Sequence, residues 1–166
     1  LARVFGSQVI LGLDRGRASG DRPESLRNFI ESMRMISDYA SANRTIITIE
    51  PINRYETDLF NSAQEVMGII KRLKCGFIKI LLDTFHMNIE EPDIDRSIAI
   101  AKDKLSHIHF ADSNRLCPGQ GHIDFRQVVR SLKASGYQGY LSAEILPLPD
   151  FKACARQYRE NIRRLL

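Results

Sequence analysis

The sequence predicts an α/β fold with parallel strands, on three observations. Short apolar or β-branched runs alternate about five times with amphipathic helical stretches. No linker, low-complexity tract or change of composition interrupts that alternation. Four of the runs end in a carboxylate or an imidazole, each about one βα unit from the next. The 166 residues, 43% apolar and 27% charged, suffice for one domain with a full hydrophobic core. Two architectures fit: an open doubly wound sheet, or part of a (β/α)8 barrel.

Leu1 to Phe5 reads as the end of a helix, and a start at Leu rather than Met reads as a piece of something longer. Gln8 to Leu13 is an apolar run closed by Asp14-Arg15-Gly16-Arg17, hence a buried strand and its loop. Asp21-Arg22-Pro23-Glu24 carries a helix-start signature, an Asp N-cap with an acidic residue three positions on. Behind it Leu26, Phe29, Ile30, Met33 and Ile36 repeat at helical spacing, so one face packs inward. Thr45 to Ile49 is β-branched throughout, which favours a strand, and it ends at Glu50.

Ser62-Ala63-Gln64-Glu65 is a capping box that opens a helix carrying Val66, Ile69, Ile70 and Leu73 and ending near Gly76. The strand Phe77 to Leu82 delivers Asp83. A helix over about Ile94 to Leu105 leads into the strand Ser106 to Phe110. Asp124 to Gln127 caps a helix over Phe125 to Ala134, which Gly136 stops. Gly139 to Ala143 is the next strand, ending at Glu144, and about Asp150 to Leu166 forms a closing helix. Arg156, Arg159, Arg163 and Arg164 fall on one stripe of that helix, a solvated outer face.

The net charge of +4 is mild and by itself neither supports nor excludes a nucleic-acid partner. Cys75, Cys117 and Cys154 lie far apart with no C-x-x-C pair, which gives neither a zinc ribbon nor a disulfide framework and suits a reducing cytoplasm. No apolar run approaches the ~18 residues of a membrane span, and no signal peptide is visible.

Glu50, Asp83, His109 and Glu144 are separated by 33, 26 and 35 residues. Each strand thus brings one metal-competent side chain to the same sheet edge, the C-terminal one where barrel sites are built. Three carboxylates and an imidazole suit a divalent ion that prefers oxygen, such as Mn²⁺, Co²⁺ or Mg²⁺, better than a structural zinc. A lone strand-end charge would simply meet solvent, but four in register make coincidence a poor account. Alternation along the strands places Thr48, His107 and Ser142 one layer below, where small polar groups can orient the ligands. His107 reads as a hydrogen-bonded interior histidine, and Lys79 as an ion pair on the bottom rim. Of the polar loops that follow the ligands, His86 and Arg115 suit hydroxyl or carbonyl oxygens of a small polar substrate. Asn53, Arg54 and Asn114 read at least as well as loop scaffolding. Pro118 to His122 is a turn whose glycines lack the strand–helix context of a phosphate loop.

The segments IEPINRYE, LDTFHMNIEE, HIHFADSNRLCPGQGHIDF and GYQGYLSAE resemble the sugar isomerase/epimerase superfamily with a xylose isomerase-like barrel. Its D-tagatose and D-psicose 3-epimerases and a 5-keto-L-gluconate epimerase are the nearest in pattern. The resemblance implies a partial (β/α)8 TIM barrel, one domain over residues 1–166 that holds about five of the eight units, the N-terminal ones lacking. It implies metal ligation by Glu50, Asp83, His109 and Glu144, with Glu50 and Glu144 also the catalytic acid–base pair. It places Glu56, His86 and Arg115 at the carbonyl end of the substrate. The cofactor implied is one divalent ion, Mn²⁺ first, with Co²⁺, Mg²⁺ or Zn²⁺ as alternatives. The partner implied is a small sugar, with neither nucleic acid nor membrane, in a cytoplasmic homo-oligomer.

The expected reaction is C3 epimerisation of a ketose or keto-acid sugar through an enediolate. Three rivals stand beside it. An aldose–ketose or hydroxypyruvate-type isomerase would use the same constellation. An endonuclease IV-like repair enzyme shares the Asp-x-x-His spacing of Asp83 and His86, but its three-zinc cluster calls for an Asp-x-His pair where this chain reads Gly121-His122-Ile123-Asp124. The third is an inactive barrel fragment, whose unpaired sheet edges would invite another chain. Arg15 and Arg17 fit either a substrate carboxylate or salt bridges on the rim.

Overall fold

The structure, a computed structural model, describes residues 1–18 and 20–166. Its five strands are β1 (Val9–Leu11), β2 (Ile47–Ile49), β3 (Ile78–Asp83), β4 (Leu105–Phe110) and β5 (Tyr140–Ala143). They form one sheet in the order β1-β2-β3-β4-β5, with every neighbouring pair parallel. A doubly wound sheet reverses its strand order at a switch point. This sheet never reverses, and it is a half-barrel, α/β throughout, as a partial (β/α)8 barrel requires. Among the described residues β1 and β5 are each paired on one side only.

The helices are α1 (Ala2–Phe5), α2 (Arg22–Asn43), α3 (Ala63–Leu73), α4 (Thr84–Glu90), α5 (Ile94–Ala101), α6 (Phe125–Ala134) and α7 (Phe151–Leu165). Their starts follow the capping chemistry in the sequence. Asp21, Asp93, Asp124 and Asp150 each accept a backbone N–H of the first turn. Ser62 and Glu65 close a reciprocal capping box. On the outer side of the sheet Ile49, Ile78, Ile80, Leu82, Ile108 and Phe110 meet Phe29 and Met33 of α2, Val66, Ile69 and Ile70 of α3, Ile98 of α5, and Val128, Val129 and Leu132 of α6. The period-2 alternation then sends Leu81 and Asp83 to the concave side. The four arginines of α7 are exposed, as their stripe predicted.

Two boundaries and one helix differ from expectation. β1 stops at Leu11, because Gly12 turns the chain and Leu13–Arg15 closes a 3-10 turn. α5 stops at Ala101, since Lys104 N–H bonds the Ala101 carbonyl and Leu105 opens β4 in register with Ile80. α4 directly follows Asp83 and was not anticipated. It is a seven-residue helix that Asp83 itself caps, its Oδ1 accepting the Phe85 N–H at 2.8 Å.

On the concave side Phe5, Gln8, Ile10, His107 and Tyr140 line a hollow of about 340 Å³. Cys117 and Cys154, distant in sequence, meet with their sulfurs 3.8 Å apart, and all three cysteines are free thiols.

Candidate metal centre

The four strand-end side chains converge. One ligand atom from each of Glu50, Asp83, His109 and Glu144 lies within 4.8 Å of all the others. The register accounts for this: Asp83 pairs with His109, and β5 brings Ser142 beside His109, so that Glu144, two residues on, rises at the same level. Glu50, Asp83 and His109 are buried, and Glu144 is half exposed. His109 Nδ1 stands 2.7 Å from Glu144 Oε2, 3.4 Å from Glu50 Oε1 and 3.6 Å from Asp83 Oδ2. Yet Nδ1 and the buried Glu50 Oε1 make no hydrogen bond of proper geometry. Atoms this close that do not satisfy one another, drawn from three acids and an imidazole, are a donor set facing a common centre. The residues fit a divalent cation.

The electrostatics have the same origin. Burial disfavours the His109 imidazolium, but Asp83, Glu144 and Glu50 outweigh it and hold the ring up at about 11. Burial pushes the Glu50 carboxyl above its ordinary value against the pull of His109. Glu144 goes the other way, down to about 2, because the His109 ring lies against it and Arg115 adds a positive field. The same strand-end position thus yields carboxyls with opposite bias.

Arg115 sits at a positive φ of 62° and bridges two of the acids, Nη1 to Asp83 Oδ2 at 2.7 Å and Nη2 to Glu144 Oε2 at 2.9 Å. Its guanidinium also lies 4.8 Å over the Phe85 ring. His86, on α4, is buried against the loop after β2, with Nδ1 2.8 Å from Asn53 Nδ2 and 4.0 Å from Glu56 Oε1. All seven residues singled out from the sequence therefore lie at the C-terminal edge of the sheet or on the loops that leave it.

Asn53, Arg54 and Asn114 hold loops. Arg54 forks onto Glu90 with contacts of 2.9 and 3.0 Å, and Asn114 bonds the Gln120 carbonyl and the Leu116 N–H. His107 is hydrogen-bonded, its Nε2 2.6 Å from Ser142 Oγ. The lower layer is otherwise not what the alternation suggested. Ser142 serves His107, and Thr48 donates to the Val9 carbonyl, so neither supports a ligand. Lys79 makes no ion pair among the described residues, which departs from the bottom-rim reading. Arg15 and Arg17 bind carbonyls instead of carboxylates. Arg15 reaches Glu50 O and, at 3.3 Å, Phe60 O, and Arg17 reaches Tyr55 O at 3.1 Å. Burial lowers Arg15 to about 10 despite the fields of Glu50 and Glu65.

One residue escaped the sequence reading. Asp112, fully buried just beyond β4, accepts backbone N–H groups of Ser113 at 2.7 Å, Gly119 at 2.7 Å and Ile123 at 3.2 Å, with Gly121 against the same carboxylate. A Cβ on Gly121 would lie 2.3 Å from Asp112 Oδ1, so only glycine fits. The acid folds the 113–123 loop and thereby seats Arg115. A signal existed: an Asp three residues beyond the ligand histidine, followed by a Gly-rich turn that needs an acceptor. Burial alone would raise the Asp112 carboxyl, but the backbone N–H groups win and hold it below the ordinary carboxylate value. A depressed folded pKa gives stability that is complete above the unfolded value of about 3.9 and is lost as pH falls through the folded one. Asp112→Asn is expected to cost about 1–3 kcal/mol, because an NH₂ group then faces buried N–H donors. The loss relative to the parent protein should shrink below about pH 4, and urea melts at pH 7 and pH 3 check both parts.

A family model for the xylose isomerase-like TIM barrel matches residues 1–165. A D-psicose 3-epimerase of Enterocloster bolteae is 36% identical over 120 residues, 72% of this chain and 38% of its own length. The 3-dehydro-D-guloside 4-epimerase of Escherichia coli K12 is 33% identical over 114 residues, 69% of this chain and 44% of its own. Among solved structures, a D-allulose 3-epimerase from Methylomonas sp. superposes with a TM-score of 0.87 at 27% identity, covering 99% of this chain and 65% of that one. The 3-keto-D-glucoside 4-epimerase of E. coli gives 0.85 at 27% identity, with 99% and 65% coverage. The chain thus spans about two-fifths of the length of the curated relatives it matches.

Proposed function

The chain belongs to the xylose isomerase-like TIM-barrel family, and on that premise we propose that it carries the metal-binding and acid–base part of a sugar epimerase. The observation that supports this most is the convergence of Glu50, Asp83, His109 and Glu144 within 4.8 Å. Glu50 follows β2 and Glu144 follows β5, with β3 and β4 between them, so the two glutamates border the centre from different sides. The names of the relatives, 3-epimerases and 4-epimerases of ketoses and keto-sugars, point to the same chemistry. A divalent ion held by the four side chains, manganese first and cobalt, magnesium or zinc otherwise, would supply Lewis acidity toward the substrate.

In this reading the substrate is a ketose or keto-acid sugar. One glutamate takes the C3 proton onto its carboxylate and the other returns a proton from the opposite face, inverting that carbon. Glu144, held ionised near its His109 and Arg115 partners, suits the accepting role. Glu50, across the centre from it, takes the donating one. Glu56, His86 and Arg115 hold the oxygens at the carbonyl end, and Asp83 and His109 serve only as ligands. A carboxylate is a weak base for a carbon acid, so the buried setting of Glu50 and Asp83 must strengthen the electrostatics that favour the enediolate. The protein works in this scheme as a cytoplasmic homo-oligomer on a small sugar. Among the described residues no helix is long and apolar enough to cross a membrane.

Turnover in deuterated water decides the central step. The C3 hydrogen of recovered product is expected to be replaced by deuterium, and its full retention would sink the proton-transfer scheme.

A further inference from the structure

We infer that Asn53 locks His86 in the neutral tautomer protonated on Nε2, which makes the ring a hydrogen-bond donor, and not a base, toward its ligand. The tautomer follows from this chain's own hydrogen bonds. That Nε2–H meets a hydroxyl or carbonyl oxygen of a sugar rests on the function proposed above.

The orientation of the Asn53 amide comes first. Its Oδ1 accepts the Tyr55 backbone N–H at 3.0 Å, which fixes the oxygen on that side. The amide nitrogen then faces Glu56 Oε1 at 2.6 Å and His86 Nδ1 at 2.8 Å. An amide nitrogen carries two hydrogens and can only donate, so one goes to the carboxylate and the other to the ring. The backbone N–H of Asn53 points at the same ring nitrogen at 3.4 Å, and it too can only donate. Two donors directed at Nδ1 leave no room for a proton there. A neutral imidazole with a bare Nδ1 must carry its hydrogen on Nε2.

Burial makes the lock stringent. His86 is 3% exposed and Asn53 is 1% exposed, so water cannot stand in for either partner. The one carboxylate near the ring among the described residues is Glu56, 4.0 Å from Nδ1, and its Oε1 is already engaged by Asn53. No hydrogen bond within the described residues engages Nε2, so its N–H is left for a ligand oxygen. Asn53 is thus a positioning residue acting through His86, and proton transfer stays with Glu50 and Glu144.

The test is ¹⁵N NMR of histidine-labelled full-length protein at pH 7, the His86 signals being identified by their loss in His86→Gln. The ring should show a pyridine-like Nδ1 and a pyrrole-like Nε2 that bears the hydrogen. Asn53→Asp keeps the shape and turns a donor into an acceptor, so Nδ1 should gain a proton. kcat/KM should fall about 10- to 100-fold in Asn53→Asp and Asn53→Ala, as for other partners that orient a site residue. An Nδ1–H tautomer or a doubly protonated ring in the unmutated protein overturns the inference, even where Asn53→Asp does not fold. The unmutated ring pattern persisting in a folded Asn53→Asp overturns the part given to Asn53. If no variant and no parent protein epimerises any ketose while the ring pattern is as stated, the sugar reading fails and the tautomer stands.

Discussion

Glu144→Gln is expected to lower kcat for epimerisation by about 10³-fold or more, near the upper range of a single acid–base group. Glutamine keeps the side-chain shape and a ligand oxygen but can neither accept the C3 proton nor bring a negative charge to the centre. In the present structure that charge is shared with His109 at 2.7 Å and Arg115 at 2.9 Å. Glu50→Gln should be as damaging to turnover but opposite in its effect on the metal-free fold. Burial raises the Glu50 carboxyl, so an ionised Glu50 opposes folding at pH 7, and neutral glutamine relieves that cost. Metal-free Glu50→Gln should therefore melt no lower than the parent protein. Steady-state kinetics with metal content measured on the same samples is the check. A Glu144→Gln protein that binds metal and retains activity would remove this residue from the acid–base pair.

The strand-end ligands could be read from the sequence because a parallel sheet turns sequence spacing into position. Separations of 33, 26 and 35 residues each hold one βα unit, and the register brings the strand ends to one level. Helix starts were legible for a local reason, since an N-cap and its first-turn partner lie within three or four residues. What stayed hidden depended on side chains meeting across the fold. Asp83 reads as a ligand, but that it also caps α4 needs the chain to turn at once into a seven-residue helix with no capping box. Asp112 gathers N–H groups from residues up to 11 positions away, a pattern set by loop geometry and not by periodicity. The contact of Cys117 with Cys154 needs the loop after β4 to meet α7. The layer below the ligands failed for a related reason. Alternation says which face Ser142 and Thr48 occupy, but not which of several polar neighbours each will choose.

Removal of divalent metal is expected to destabilise the protein, and Asp83→Asn should abolish that sensitivity. Three acids and one imidazole held within 4.8 Å gather more negative charge than Arg115 alone offsets, and a divalent cation would balance it. A ligand at about 100 times its Kd that binds only the folded state adds roughly 2.7 kcal/mol. For a chain of this size that corresponds to a Tm rise of about 5–10 °C. Asp83→Asn is the sharp control because it separates two duties of one side chain. Asn caps helices as well as Asp does, so the bond from Phe85 N–H to Oδ1 survives and α4 keeps its start. What is lost is the charge on Oδ2, which now faces Arg115 at 2.7 Å and His109 at 3.6 Å. Calorimetry with and without chelator should show the shift in the parent protein, greatest with Mn²⁺ if that ion suits the site, and none in Asp83→Asn. Equal Tm values for the parent protein with and without metal would rule out a metal at this centre, and with it the need for four ligands in register at the ends of β2 to β5.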